Sequence, residues 1–254
     1  MVLFLWMTDG LSLINMAYSH TTTPSLFRYQ NSKKEAISLL MPPPKYKRIV
    51  ELYLGNGPYI NSRNSPSLGV ESNKDIADLW NWLKTEATEQ RLREISEICS
   101  NAVSEHENWK PDVRNIGLSK NEQTYVRINI CGLINGQLSS WKIQPNKYLP
   151  IEETISLLSR LQNVEILHGL PSDYKEEDGD IVIINPIFED DNYQKISEIK
   201  RVCNSLFSPF VILCDTNAPK IFPEFNWDIL TRKSFGKSSK AVNKICYVYY
   251  SKWK

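Results

Sequence analysis

The chain has 254 residues, 41% of them apolar, with 30 basic and 29 acidic side chains and a formal net charge of +1. That is enough for one large domain, or for a core with a modest insertion, and enough apolar material to bury a core. A net charge this close to zero excludes a basic protein of histone type and leaves nucleic-acid binding undecided.

The first twenty residues, MVLFLWMTDGLSLINMAYSH, are apolar but interrupted by Asp9. They are too short to span a bilayer, and no basic region precedes them as in a signal peptide. They read as a strand or short helix, or as a leader with Met16 the true start. KRIVELYLGNG (47–57) is a short apolar strand followed by a glycine turn, and SLGVESN (67–73) is a second strand that ends in an acid. From Lys74 the spacing turns helical, with Ile76, Leu79, Trp80 and Leu83 on one face. Pro111 and Gly117 close that region. Residues 124–150, TYVRINICGLINGQLSSWKIQPNKYLP, hold short β-like runs broken by Gly132, Gly136, Pro145 and Pro150, which predicts a looped segment. A helix is predicted over 151–162. NVEILHG, GDIVIINP and SPFVILCDTN follow as apolar strands, with a helical run near 192–206 between the last two. NKICYVYYSKW is a final strand.

This alternation predicts an open, mostly parallel α/β sheet with crossover helices. The core is expected from 1–75 and 155–254, with 76–154 as an inserted, largely helical subdomain. Cys99, Cys131, Cys203, Cys214 and Cys246 are scattered, odd in number and without a CxxC, which predicts reduced thiols in a cytoplasmic protein. The three histidines lie far apart, so no metal site is expected. A basic tail after Lys220 and an acidic stretch over 175–191 nearly cancel in the total charge.

Two places can carry chemistry. Leu54, Gly55, Asn56 and Gly57 form a turn at the end of a strand, where missing side chains allow a ligand to approach the backbone. In an open α/β sheet that edge is where ligands bind. Glu71, at the end of the next strand, can accept hydrogen bonds from a ribose diol. An ordinary hairpin-like turn is the plain alternative. The full GxGxxG and the P-loop lysine are absent, and Pro58 follows the second glycine, so a cofactor without phosphates fits better. The other place is GDIVIINPIFEDD (179–191): a buried strand that ends in Asn185 and Pro186, with Phe188 close behind. Two carbonyl acceptors and an aromatic face suit the exocyclic amine of a nucleobase. A strand that simply stops at a turn, with Phe188 returning to the core, is the alternative there.

These segments, in this order, resemble the Dam-type adenine-N6 DNA methyltransferases, which use S-adenosylmethionine. FRYQNSKKEAISLLMPPPKYKRIVELYLGNGPYI is similar to the opening of that family, with Lys33 at its cofactor-side lysine. Leu54, Gly55 and Gly57 fall on the FxGxG loop, and Glu71 falls on the ribose-binding acid. Arg127, Asn129, Gly132 and Asn135 match the RxNxxGxFN segment. INPIF falls on the DPPY motif through Asn185, Pro186 and Phe188. The resemblance implies a Rossmann-like methyltransferase core, S-adenosylmethionine as cofactor and DNA as partner. It implies that Lys33, Leu54, Gly55, Asn56, Gly57 and Glu71 line the cofactor, and that Asn185, Pro186 and Phe188 hold the target adenine. Arg127 and Lys142 are candidates for phosphates or base edges, with Asn129 beside them. Against the family pattern, Asn31-Ser32 replaces a glycine pair and Ile187 replaces the second proline. The acids at 189–191 would repel a phosphate backbone. A degenerate relative that keeps the fold and acts as a binding module, and an unrelated α/β protein, are the competing expectations.

Overall fold

The computed structural model describes residues 25–28, 34–105, 110–131, 133–134, 137–138, 140–186, 193–214, 218–235 and 242–253. Among them, seven strands form one sheet: β1 (Arg48–Leu52), β2 (Ser67–Glu71), β5 (Val164–His168), β6 (Asp180–Ile184), β7 (Phe210–Cys214), β8 (Asp228–Phe235) and β9 (Val242–Ser251). A separate short ribbon pairs β3 (Leu133–Ile134) with β4 (Gln137–Leu138). The order across the large sheet is β5-β2-β1-β6-β7-β9-β8. Neighbours from β5 to β7 run parallel, and β9 is antiparallel to both β7 and β8. This is the open, mostly parallel α/β sheet of Rossmann-like methyltransferase type. The order grows outward from β1 in one direction and from β6 in the other, so the β1–β6 boundary is the topological switch point.

The central strands are apolar throughout because helices cover both faces. On one face Ile49, Ile181, Ile183, Val211 and Leu213 join a cluster with α3 (Lys74–Thr85), α4 (Glu89–Ser104), α5 (Lys120–Val126) and α6 (Ile151–Leu158). The short helices α1 (Lys34–Ile37) and α2 (Pro58–Asn61) lie in the same layer. On the other face Val50, Leu52, Val182, Ile184 and Ile212 pack against α7 (Tyr193–Ser205) and α8 (Ala218–Ile221). The inserted segment therefore shares one apolar cluster with the sheet. No described helix is long and apolar enough to cross a membrane. The five cysteines are buried thiols.

Two local expectations are corrected. Residues 124–131 are helical, not looped: α5 runs on into a π turn over Arg127–Cys131. Burial overrides the β-branched composition here, since Tyr125, Val126, Ile128 and Ile130 all sit in the core. The start signal was in the sequence, because Ser119 and Glu122 form a reciprocal capping box. The second correction is β8, absent from the reading above. It lies at the sheet edge and carries Asp228, Arg232 and Lys233, so it lacks the apolar run of a central strand. The helical region predicted after Lys74 forms two helices, α3 and α4, and Thr88 caps the second by accepting from the Arg91 N–H.

At the amino ends of the central strands, Arg48 grips the buried Asp180 carboxylate through two nitrogens, at 2.9 and 2.8 Å. The Tyr174 hydroxyl and the Glu177 N–H donate to the same carboxylate, at 2.6 and 3.0 Å. Burial alone would raise the Asp180 pKa, but these donors hold it below the usual range. Replacing Arg48 with Ala strands that charge. Urea unfolding of the variant is expected to show a loss of about 3–5 kcal/mol.

Candidate functional site

The site is set by register. Leu52 pairs with Val70 on one side and with Ile184 on the other. The next residue on each strand therefore falls in one row: Glu71, Tyr53 and Asn185, at the carboxyl ends of three adjacent parallel strands. His168 pairs with Glu71 and extends the row. The glycine turn and the Asn185-Pro186 step thus share one rim, at the switch point.

The turn needs its glycines. Gly55 and Gly57 have φ of 50° and 54°, in the left-handed region that side chains disfavour. A Cβ on Gly57 would lie 2.7 Å from the Trp80 ring. Trp80 is buried, donates its indole N–H to the Gly55 carbonyl at 2.7 Å, and meets Phe27 edge-on. The Asn56 side chain is turned inward, donating to Ser25 Oγ at 2.8 Å. Leu54 is buried against Gly69, where a Cβ would sit 2.5 Å from it. Tyr53 has φ of 59°, unusual for a residue with a side chain. Strict alternation would put its ring on the Ile49 face. The left-handed turn puts it with the Val50 and Leu52 cluster instead, where its hydroxyl donates to Glu198 at 3.3 Å.

Glu71 is buried, and its carboxylate accepts from the backbone N–H groups of Gly55 at 2.9 Å and Asn73 at 2.8 Å, with the Ser72 N–H also acting on it. Burial raises its pKa, opposed by those N–H groups and by the Lys195 ammonium. A carboxylate oxygen accepts about two hydrogen bonds, so capacity for a diol remains. The Asn185 N–H donates to the Leu52 carbonyl at 3.3 Å, tying the rim together.

Glu51 is the feature that sequence reading missed. It lies fully buried within β1, on the apolar face shared with Ile49. One oxygen accepts from the Ile60 N–H at 3.1 Å, and the other has no hydrogen-bond partner among the described residues. The Asn185 amide lies close enough to lower its pKa somewhat. The signal was present: an acid inside the apolar run RIVELYL has no solvent to face.

The other predicted residues fall elsewhere. Lys33 and Phe188 lie outside the described residues, as do Gly132 and Asn135 of the RxNxxG-like segment. Arg127 is buried, donates to the Ser140 carbonyl at 3.2 Å, and stacks its guanidinium 3.4 Å from the Trp141 ring centroid. Asn129 is buried, accepting from the Arg28 N–H at 2.8 Å and donating to the Tyr125 carbonyl at 2.8 Å. Lys142 is half exposed, 3.6 Å from the buried Asp112. Among the described residues, no group of three or more His, Cys, Asp and Glu side chains is placed to hold a metal ion.

The sequence matches no protein-family model and no curated protein. Among solved structures, the chain is similar to precorrin-6y C5,15-methyltransferase from Geobacter metallireducens GS-15, at 10% identity over 85% of each chain, TM-score 0.40. It is also similar to an RNA methyltransferase candidate, PH1948, from Pyrococcus horikoshii, at 11% identity over 89% of this chain and 86% of that one, TM-score 0.42. The C-terminal domain of precorrin-6Y C5,15-methyltransferase from Rhodobacter capsulatus is a third, at 7% identity over 89% and 94%, TM-score 0.41. Likenesses this distant carry no argument about substrate, and the fold stands on the strand order above.

Burial pushes the Glu51 carboxyl from its ordinary 4.5 up to about 8. The folded chain therefore keeps a proton that the unfolded chain has lost across that interval, and stability falls as pH rises through it. In urea unfolding at pH 5 and pH 8, the wild type is expected to lose roughly 1–4 kcal/mol over this range. Glu51→Gln is expected to flatten that decline.

Proposed function

We propose that the crevice at the switch point binds S-adenosylmethionine and that the chain transfers its methyl group to the exocyclic amine of adenine in DNA. The observation that carries this reading is the single row of Glu71, Tyr53 and Asn185, flanked by two left-handed glycines. Ligands of open α/β sheets bind in such a crevice, outside the carboxyl ends of the strands where their order reverses. The choice of adenine and of DNA comes from the resemblance to the Dam-type enzymes.

In this reading Glu71 accepts from the ribose diol, and the Gly55 and Gly57 backbone permits close contact with the cofactor. The cofactor supplies a methyl group on a positively charged sulfur, already activated for displacement. Asn185 Oδ1 and the Pro186 carbonyl accept the N–H bonds of the target amine and stabilise the positive charge that grows on it. They also aim its lone pair, which matters more than acid–base strength for a neutral nucleophile and a cationic donor. Asn185 and Pro186 would hold the amine while it takes the methyl group from the sulfur, which would leave with the C–S electrons, and the amine would then release one proton to water. Phe188 supplies the face on which the extruded base stacks, Lys33 borders the cofactor, and Lys142 meets the phosphates. Arg127 and Asn129 face inward, which favours a supporting role in this region over contact with bases.

The catalytically degenerate reading, a binding module on the same fold, is favoured by one observation: residues 54–61 are all buried. Calorimetric titration separates the two. Saturable S-adenosylmethionine binding is expected, with Glu71→Ala weakening it about tenfold, the scale of one or two charge-assisted hydrogen bonds. Asn185→Ala should leave that affinity nearly intact and abolish methyl transfer to a duplex containing adenine. No heat at millimolar cofactor would leave only the binding module.

A further inference from the structure

Glu51 is an acid at a position of β1 where both neighbouring strands and the helix layer are apolar. It is fully buried, and among the described residues one of its oxygens has no hydrogen-bond partner. The other accepts from the Ile60 N–H of α2 at 3.1 Å. Across the sheet Glu51 stands level with Gly69 on β2 and with Ile183 on β6. Ile183 lies in the same apolar cluster as Ile49, on the face that Glu51 shares. Two residues beyond Ile183, Asn185 returns to that face. Unlike Tyr53 it has no left-handed φ, and its N–H donates to the Leu52 carbonyl at 3.3 Å, so the alternation of β6 carries through it. Asn185 is thus the diagonal neighbour of Glu51, and it too is buried. Burial raises the Glu51 pKa, and the Asn185 amide lies close enough to oppose that rise.

An asparagine amide has two unlike ends, a carbonyl that accepts and a nitrogen that donates. In the proposed function Asn185 turns its carbonyl to the target amine, and the following step rests on that reading. An ionised carboxylate beside the amide only accepts, so it draws the amide nitrogen and leaves Oδ1 to the crevice. A protonated carboxyl carries an O–H that donates to Oδ1, which leaves the amide nitrogen facing the crevice. Donor then meets donor, and the target amine is not held.

We infer that Glu51 is a positioning residue that sets which end of the Asn185 amide faces the crevice, and that the crevice is competent only when this buried carboxyl is ionised. The device is a proton-operated one, since the carboxyl has no charged partner on either neighbouring strand: Gly69, Ile183 and Asn185 are the residues there. From the helix layer Tyr59 faces it, with Arg63 and Tyr46 beyond that ring. Burial pushes the Tyr59 hydroxyl up to about 12, so it does not change together with Glu51.

Two measurements on the full chain test the inference. In ¹⁵N-labelled wild type, the Asn185 side-chain amide resonances are expected to move with pH, with a midpoint near 8, the value to which burial brings Glu51. They should stay still in Glu51→Gln, which cannot ionise. Methyl transfer to an adenine-containing duplex, at saturating S-adenosylmethionine, should show kcat rising about tenfold from pH 7 to pH 9 with KM for the cofactor little changed. Glu51→Gln should give a flat profile. A carboxyl that only braces the glycine turn would move KM and leave the pH profile of kcat alike in both proteins, and that result overturns the inference. Asn185 amide resonances that ignore pH in the folded wild type overturn it without any variant. If neither protein transfers a methyl group at any pH, and calorimetry shows no cofactor heat, the cofactor reading itself is wrong and the positioning role goes with it.

Discussion

The register of β1 against its two parallel neighbours is the constraint on which the rest depends. Because Leu52 stands level with both Val70 and Ile184, three strands end together, and whatever follows them is forced into one row. The strand order reverses between β1 and β6 at that row, the position where open α/β sheets bind their ligands. A shift of one residue in either pairing would swap the faces of the whole strand. It would carry Glu71 or Asn185 away from the glycine turn.

The rim is costly in conformational terms, and the surroundings offset that cost. Three of the five residues from Tyr53 to Gly57 have positive φ. A non-glycine residue in that region costs of order 1–3 kcal/mol and persists only where neighbours over-determine it. Here the neighbours are Trp80 on one side, with its indole bonded to Gly55, and Glu198 on the other, bonded to Tyr53. Glu71 closes the turn from a third direction. The helical insertion and α7 thus both hold the loop. Glu51 adds a buried carboxyl directly beneath it, with one oxygen lacking a hydrogen-bond partner among the described residues.

The central strands, their order along the chain and the main crossover helices were legible because their causes are local. A continuous apolar run between turn residues reads as a buried strand, and residues spaced by three and four read as a helix. Segments whose state is decided by what they pack against were not legible. The run TYVRINIC has β-branched composition, yet it completes a helix because its side chains fill the space beside α3. The strand at 228–235 has a mixed polar sequence because it lies at an edge, and only pairing with β9 makes it a strand.

The same division applies to the site. The sequence by itself determined the chemistry available: two glycines after a strand, an acid after the next, and an asparagine-proline step after a third. Each is a local pattern of backbone freedom or hydrogen-bonding capacity. Only the tertiary structure decided that these three lie side by side, that Arg127 and Asn129 face inward, and that Lys195 reaches the Tyr53 ring. Those facts depend on strand register, on burial and on the reach of a side chain from a helix about 140 residues away in the chain. No window of sequence contains them.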